Sequence, residues 1–274
     1  MIRLAVRCSP EQAELVLAEL IVLAPNGVEE ECGPGYVEYA IYGGEGELPE
    51  LGEIDAALGG GWVKVSAREV PDDWADRWQD FHKPLLVGGR LWLRPSWEQP
   101  REGAVDLVLD PGRAFGTGAH PTTRLCLGYL LELADAGEAA GALTDLGTGS
   151  GVLAIAAAML GWNPVNACDH EEPAIEAAAA NASANRVSIG LRQINLRERL
   201  PALSPTTVAN LTAPTLLLIA SQLKADRREP TTLICSGVLP SELDDLIAAF
   251  APAGLLEADR RQDGEWAAFL LRSA

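Results

Sequence analysis

Apolar and polar positions alternate through the first 70 residues in an order that predicts six short elements. Ser9-Pro10-Glu11 carries residues that favour a helix start, and Pro25-Asn26-Gly27 ends that helix. Gly33-Pro34-Gly35 separates two apolar runs and predicts a hairpin. The predicted elements are strands at 2–8, 28–31, 36–41 and 62–70 and helices at 9–23 and 49–58.

The order of these elements, β-α-β-β-α-β, is that of a ferredoxin-like unit. We therefore predict that residues 1–70 form a small substrate-recognition domain, although a domain that only packs against the rest of the chain would have the same pattern. Residues 71–95 are predicted to form a linker helix and strand. Trp74, Trp78 and Phe81 recur at helical spacing there, which favours a buried stripe over a peptide-binding face.

From residue 96 to residue 274, strand and helix signals alternate, which predicts a mainly parallel sheet covered on both faces. The last elements break this alternation, because two strands follow each other through Asp263-Gly264. The predicted closing elements are a strand at 233–237, a helix at 242–250 and strands at 254–262 and 265–272. The expected fold is a doubly wound α/β sheet that ends in an antiparallel hairpin.

A glycine-rich turn lies at the junction of a strand and an Ala-rich helix. Gly147, Gly149 and Gly151 follow Asp145, and Asp169 ends the next strand 24 residues after Asp145. Glycines let the backbone approach a ligand closely, and an acid at the end of the next strand can accept hydrogen bonds from both ribose hydroxyls. This pattern indicates a cofactor that contains a nucleoside, although a glycine-rich turn that binds nothing has a similar appearance.

The glycine spacing distinguishes between cofactor classes. A dinucleotide fingerprint needs glycines at offsets 0, 2 and 5, whereas these lie at 0, 2 and 4, and no Gly-Lys-Ser/Thr phosphate loop occurs. The Asp-x-Gly-x-Gly-Ser-Gly pattern instead resembles that of methyltransferases that use S-adenosyl-L-methionine. The predicted doubly wound sheet with its closing hairpin is similar to the layout of class I methyltransferases.

Composition limits the partners. The formal net charge is −18 and the isoelectric point is about 4.5, which argues against direct nucleic-acid binding and suits either a basic protein partner or simple solubility. Five cysteines without Cys-x-x-Cys pairs and three dispersed histidines predict free thiols and no metal site. Because no signal peptide or membrane span is recognisable, we expect a cytoplasmic protein, and we expect a monomer.

A second motif covers residues 109–127, which read LDPGRAFGTGAHPTTRLCL. This segment resembles the bacterial methyltransferases of large-subunit ribosomal protein L11, the PrmA family. Further similar segments cover nearly the whole chain: 145–151, 169–174, 208–211, 233–239 and 264–266. The chain departs from the family where Glu171 replaces a second Asp, where Glu172 replaces Pro, and where 191–200 lacks a Gly-Asp pair and offers Asn195 near the adenine.

The resemblance implies methyl transfer from S-adenosylmethionine to lysine side chains and to the N-terminal amine of the ribosomal protein. It assigns cofactor binding to Thr123, Gly147, Gly149, Asp169 and Asn210. Asn210 would also act in catalysis, by accepting a hydrogen bond from the incoming amine. His120 is either a base or the residue that fixes a helix start, and Phe115 either walls off the methionine moiety or anchors its loop.

Two alternatives to this function remain open at the level of sequence. One is an enzyme that acts on another protein amine or on a small molecule, although a small-molecule enzyme would not need the N-terminal domain. The other is a non-catalytic cofactor-binding module in ribosome assembly, which the departures from the family around 172 and 195–207 leave open.

Overall fold

The computed structural model describes residues 2–9, 12–13, 16, 29–33, 35–43, 63–69, 83–110, 118, 120–226 and 230–273. The chain divides into two compact units, residues 1–81 and residues 82–274. No helix within these described ranges is long and apolar enough to cross a lipid bilayer. The same ranges contain no group of three acidic, histidine or cysteine side chains that would hold a metal ion.

The first unit contains a four-stranded antiparallel sheet of order β2-β3-β1-β4. Its strands are β1 (Ile2–Cys8), β2 (Glu29–Gly33), β3 (Tyr36–Gly43) and β4 (Lys64–Glu69). Alternate side chains of β1 and β3, among them Leu4, Val6 and Tyr39, form a buried apolar face. The four predicted strands and the hairpin between β2 and β3 are confirmed. The predicted helices lie almost entirely outside the described residues, so the ferredoxin-like assignment stays a prediction.

The second unit begins with a small sheet of three strands. These are β5 (Leu85–Val87), β6 (Leu91–Arg94) and β7 (Val105–Val108), with β6 antiparallel to β5 and parallel to β7. Asn185 extends β7 with its side-chain amide, which accepts from the Val108 amide at 2.8 Å and donates to the Val108 carbonyl at 2.6 Å. The stretch 85–94 thus forms a hairpin, while Trp74, Trp78 and Phe81 of the predicted linker helix lie outside the described residues.

A seven-stranded sheet of order β10-β9-β8-β11-β12-β14-β13 forms the centre of the second unit. Its strands are β8 (Leu143–Leu146), β9 (Val165–Asp169), β10 (Gly190–Gln193), β11 (Thr206–Asn210), β12 (Thr232–Val238), β13 (Leu255–Asp263) and β14 (Trp266–Ser273). All neighbouring pairs are parallel except those of β14, which runs antiparallel to β12 and β13. The predicted doubly wound sheet and closing hairpin are confirmed.

Within the described part of the second unit, five α-helices accompany this sheet. They are α1 (Pro121–Asp135), α2 (Val152–Leu160), α3 (Glu172–Ala184), α4 (Ala213–Asp226) and α5 (Leu243–Phe250). Neighbouring residues of a strand enter different cores, since Val208 packs with α1 and α2 whereas Ala209 packs with α4 and α5. The sheet is therefore buried on both faces, and its central strands β8, β11 and β12 are buried at nearly every position.

The strand order reverses at β8. The chain builds β9 and then β10 on one side of β8 and returns to place β11 on the other side. In open α/β sheets such a switch point opens a crevice at the carboxyl ends of the strands, and ligands bind there. The crevice lies beyond Leu146 of β8 and Asn210 of β11, where the predicted site residues are found.

Candidate cofactor site

The glycine turn after β8 has a backbone conformation that favours glycine, and backbone hydrogen bonds hold it in place. Gly147 has a φ of 73°, and a Cβ there would collide with Leu211 Cδ2. The amides of Gly147 and Thr148 both donate to the Cys168 carbonyl at 2.9 Å, which ties the turn to β9. The turn therefore presents bare backbone to the crevice.

Asp169 occupies the last position of β9 and is buried. Its Oδ2 accepts from the Gly149 amide at 2.9 Å, and its Oδ1 accepts from the Glu171 amide at 3.2 Å. These bonds fix the plane of the carboxylate and leave further acceptor positions on both oxygens. A pair of vicinal hydroxyls is the natural ligand for a carboxylate held in this way.

Asn210 ends β11 and lies against the first turn of α1. Its Nδ2 is 3.4 Å from the hydroxyl of buried Thr123, to which it donates. Because Nδ2 points to Thr123, the carbonyl oxygen Oδ1 points away from that hydroxyl and is available as an acceptor. The two residues are 87 positions apart in the chain and meet only because α1 packs over the sheet.

His120 caps α1, and its Nδ1 accepts from the Thr122 amide at 3.4 Å and lies 2.8 Å from the Thr122 hydroxyl. Its ring meets Trp266 edge-on, with the centroids 5.0 Å apart. Burial, together with the nearby Arg124 charge, lowers the pKa of His120 below its usual value, which favours the neutral ring. This geometry is that of a helix cap. Phe115, the other residue with an open role, lies outside the described residues.

The residues assigned to the site from sequence line one cavity of about 370 Å³ in the crevice: Thr123, Gly147, Gly149, Asp169 and Asn210. A cavity of this size is within the range of small-molecule and cofactor sites. The structure thus brings together side chains from α1, the glycine turn and the ends of β9 and β11. Residues 111–117 and 119 of the 109–127 motif, Phe115 among them, lie outside the described residues.

One wall of the cavity comes from the turn after β10, which sequence reasoning treated only as a departure from the family. Asn195 Oδ1 accepts from the Arg197 amide at 3.1 Å, and Asn195 Nδ2 donates to Glu198 at 2.9 Å. Both bonds stay within the turn, so Asn195 shapes the wall formed by Ile194, Leu196 and Arg197. An Asn directly after a strand often forms an Asx turn, and this signal could have predicted the turn from the sequence.

Asp145 is a second residue whose importance the sequence did not reveal. It is fully buried one residue before the end of β8, and its Oδ2 accepts from the Thr148 hydroxyl at 2.7 Å. Burial raises the pKa of Asp145 to about 7, against the opposing effects of the Thr148 hydroxyl and the Ala154 amide. The sequence shows an acid that opens the glycine motif, but it does not show that the acid has been removed from water.

These features suit an adenosyl cofactor. The bare glycine turn permits close approach, Asp169 offers acceptors for a ribose, and the Asn210–Thr123 pair lines the same cavity. A doubly wound sheet with an antiparallel seventh strand, carrying this site at its switch point, defines a class I methyltransferase that uses S-adenosylmethionine.

Comparison with known proteins identifies the family. The family model described as ribosomal protein L11 methyltransferase (PrmA) matches residues 48–274. A protein of that name from Heliobacterium modesticaldum is 38% identical over 217 residues, which cover 78% of this chain and 67% of that protein. One from Azotobacter vinelandii is 41% identical over 218 residues, covering 78% of this chain and 73% of its own length. This chain belongs to the PrmA family.

A solved structure supports the same assignment. The crystal structure of ribosomal protein L11 methylase from Lactobacillus delbrueckii subsp. bulgaricus is similar to this chain with a TM-score of 0.61 and 29% sequence identity. The similarity covers 70% of this chain and all of that chain. The recognition made from the 109–127 motif, the fold class and the cofactor predicted from the glycine turn are confirmed.

Proposed function

We propose that this methyltransferase modifies ribosomal protein L11, at lysine side chains and at the N-terminal α-amine. The observation that carries the proposal is the convergence of Thr123, Gly147, Asp169 and Asn210 on one cavity. The relatives that share most of the chain are named for this substrate. S-adenosylmethionine supplies an electrophilic methyl group, and the protein has to bring a neutral amine into line behind it.

The proposed cofactor contacts follow from the hydrogen-bond geometry. Asp169 holds the ribose hydroxyls, since its carboxylate is already oriented by two backbone amides. Gly147 and Gly149 permit close approach of the backbone. Thr123 bonds the methionine end with the hydroxyl that also meets Asn210.

The proposed catalytic contact is the Oδ1 of Asn210. An acceptor at this position takes a hydrogen bond from the incoming amine and directs the nitrogen lone pair towards the methyl group. The amine must be neutral, and for a lysine of pKa about 10.4 deprotonation at pH 7 costs about 4.6 kcal/mol. Desolvation and a nearby positive charge both lower that pKa, so no dedicated base is required.

The domain roles are proposed in the same terms. Residues 1–70 recognise the ribosomal protein, residues 71–95 connect the two parts, and residues 96–274 bind the cofactor and catalyse. The acidic chain, with a net charge of −18, suits a basic protein partner and disfavours direct contact with nucleic acid. We further propose that the enzyme is a cytoplasmic monomer.

The test is mass spectrometry of purified L11 after incubation with the enzyme and S-adenosylmethionine. Mass gains in steps of one methylene, mapped to lysines or to the N-terminus, are expected. The Asn210→Ala protein serves as the control that separates catalysis from contamination. No mass gain, with cofactor binding intact by calorimetry, would reject L11 as the substrate.

A further inference from the structure

Asp145 is a buried carboxyl directly beneath the cofactor turn. Its exposed fraction is 0%, and it accepts a hydrogen bond from the hydroxyl of Thr148, which stands between Gly147 and Gly149 in the turn. Gly147 and Thr148 line the cavity. Among the residues that the structure describes, no donor reaches the other oxygen, Oδ1. A carboxylate in such a place lacks half of its normal hydrogen bonding.

The groups packed around Asp145 add no positive charge. Cys126 of α1, and Cys168 and Asp169 of β9, interact with it electrostatically, and each of them is neutral or acidic. No ion pair to Asp145 occurs within the described parts of the chain, and its one side-chain partner is the neutral Thr148. An isolated buried carboxylate is costly, and the group avoids that cost by holding a proton.

A cationic ligand in the adjoining cavity changes this balance. S-adenosylmethionine carries a sulfonium, whereas the product S-adenosylhomocysteine has a neutral thioether at the same position. A nearby positive charge favours the ionised form of a carboxyl, and the effect is strong where water is excluded. A neutral sulfur has no such effect.

We infer that Asp145 is the buried counter-charge for the cationic sulfur of the cofactor and thereby helps the enzyme to distinguish substrate cofactor from product. When S-adenosylmethionine binds, the Asp145 carboxyl loses its proton to solvent. When S-adenosylhomocysteine remains after methyl transfer, the carboxylate takes a proton back from solvent. This inference rests on the proposed cofactor site but not on the identity of the methylated protein.

The direction of the linkage gives a measurable pH dependence. The pKa of Asp145 in the protein without ligand is about 7, so the carboxyl holds about half a proton at pH 7. S-adenosylmethionine therefore binds more tightly as the pH rises from 6 to 8, by at most about tenfold per pH unit. The affinity for S-adenosylhomocysteine lacks this increment. Both ligands also carry a titrating α-amino group, and comparison of the wild-type protein with Asp145→Asn removes its contribution.

The experiment is isothermal titration calorimetry of both ligands at pH 7 in two buffers of different ionisation enthalpy. The wild-type protein is expected to release up to about half a proton more with S-adenosylmethionine than with S-adenosylhomocysteine. In Asp145→Asn, a neutral side chain of the same shape, the difference should fall to the part that the ligand amines contribute, and the ratio of the two affinities should change less with pH than in the wild-type protein. Asp244→Asn, which neutralises a highly exposed acid that does not line the cavity, should keep the wild-type difference.

Equal proton counts for the two ligands in the wild-type protein would overturn the inference, as would a difference that is equally large in Asp145→Asn. If that variant does not fold, Thr148→Val provides a second test. Loss of the Thr148 hydroxyl removes a bond that favours the ionised carboxyl, so the rise in S-adenosylmethionine affinity should move to higher pH. Absence of any cofactor binding by the wild-type protein would reject the cofactor site itself, which is a distinguishable result.

Discussion

At the scale of single residues, the site depends on side chains whose orientation is set by neighbours before any ligand arrives. Two backbone amides orient Asp169, and the Thr123 hydroxyl orients Asn210. Because these side chains are already oriented, they lose less conformational entropy when the ligand binds and when the reaction takes place. The residue-scale predictions therefore separate cofactor binding from catalysis.

Replacement of Asp169 by Ala is expected to weaken S-adenosylmethionine binding by about 100-fold or more. Two hydrogen bonds to a charged group are lost, each worth about 1.5–3 kcal/mol. Calorimetry measures the affinity, and Asp244→Ala, which removes a highly exposed acid, is the matched control. An affinity that stays at the wild-type value would contradict the ribose assignment.

Replacement of Asn210 by Ala is expected to lower kcat for L11 methylation by about 100-fold, because the amine is no longer aligned with the methyl group. Cofactor affinity should fall much less, since the ribose and glycine contacts remain. Single-turnover kinetics and calorimetry give the two quantities. Asn166→Ala, on an exposed position of β9, is the control. Methylation that proceeds normally in Asn210→Ala would exclude the orienting role.

The cap geometry of His120 predicts that its imidazole does not act as a base. Asn is a good helix N-cap, so His120→Asn should keep the shape of the pH profile of kcat/KM and most of the activity. His120→Ala should lose about 1 kcal/mol of stability, since the bond to the Thr122 amide is missing. Loss of the acidic limb of the profile in His120→Asn would instead identify a titrating catalytic group.

At the scale of elements, the turn between β8 and α2 shows why glycine occurs where it does. Gly147 and Gly137 share a left-handed backbone, with φ values of 73° and 79°. They differ in their surroundings, because a Cβ at Gly147 would meet Leu211 whereas nothing lies within 4 Å of a Cβ at Gly137. Alanine substitutions at these two positions therefore separate the conformational strain of a left-handed residue from the steric clash with Leu211.

Gly147→Ala is therefore expected to reduce cofactor affinity by tenfold or more, since Leu211, which also lines the cavity, has to move. Gly137→Ala bears only the conformational cost, about 1–2 kcal/mol of stability, with unchanged affinity. Thermal unfolding and calorimetry measure the two effects. If both variants bound the cofactor equally well, the close approach at Gly147 would have no functional part.

At the scale of the whole molecule, burial of Asp145 couples folding to pH. The unfolded chain loses this proton near pH 4 and the folded chain near pH 7, so between these values the folded state binds more protons. The contribution of Asp145 to stability is therefore fully present below about pH 4, is lost as pH rises towards 7, and stays absent above it.

Without ligand, Asp145→Asn should melt a few degrees above the wild-type protein at pH 8, and this advantage should shrink as the pH falls to 5. The amide has no charge to bury at either pH, which is the reason for the difference. Differential scanning calorimetry at the two pH values provides the measurement, with Asp244→Asn as the exposed control. A difference in melting temperature independent of pH would show that Asp145 is ionised throughout.

The sequence by itself determined the local features of this protein. Glycines at 147, 149 and 151 mark a turn that other residues cannot adopt cheaply, and an acid at 169 marks the end of the next strand. The alternation of apolar runs determined the doubly wound sheet, and Asp263-Gly264 determined the closing hairpin. These are properties of neighbouring residues, and the pattern of neighbours is what a sequence displays.

Tertiary structure decided the rest. Asn210 donates a hydrogen bond to Thr123 because α1 packs over the carboxyl end of β11. The Asn195 side-chain amide makes its hydrogen bond within its own turn. Asp145 and Asp169 are both acids at the ends of adjacent strands, yet Asp169 faces the cavity while Asp145 is fully buried. Removal from water depends on every element that packs around a side chain, so only the folded molecule distinguishes the proposed ribose ligand from the fully buried carboxyl.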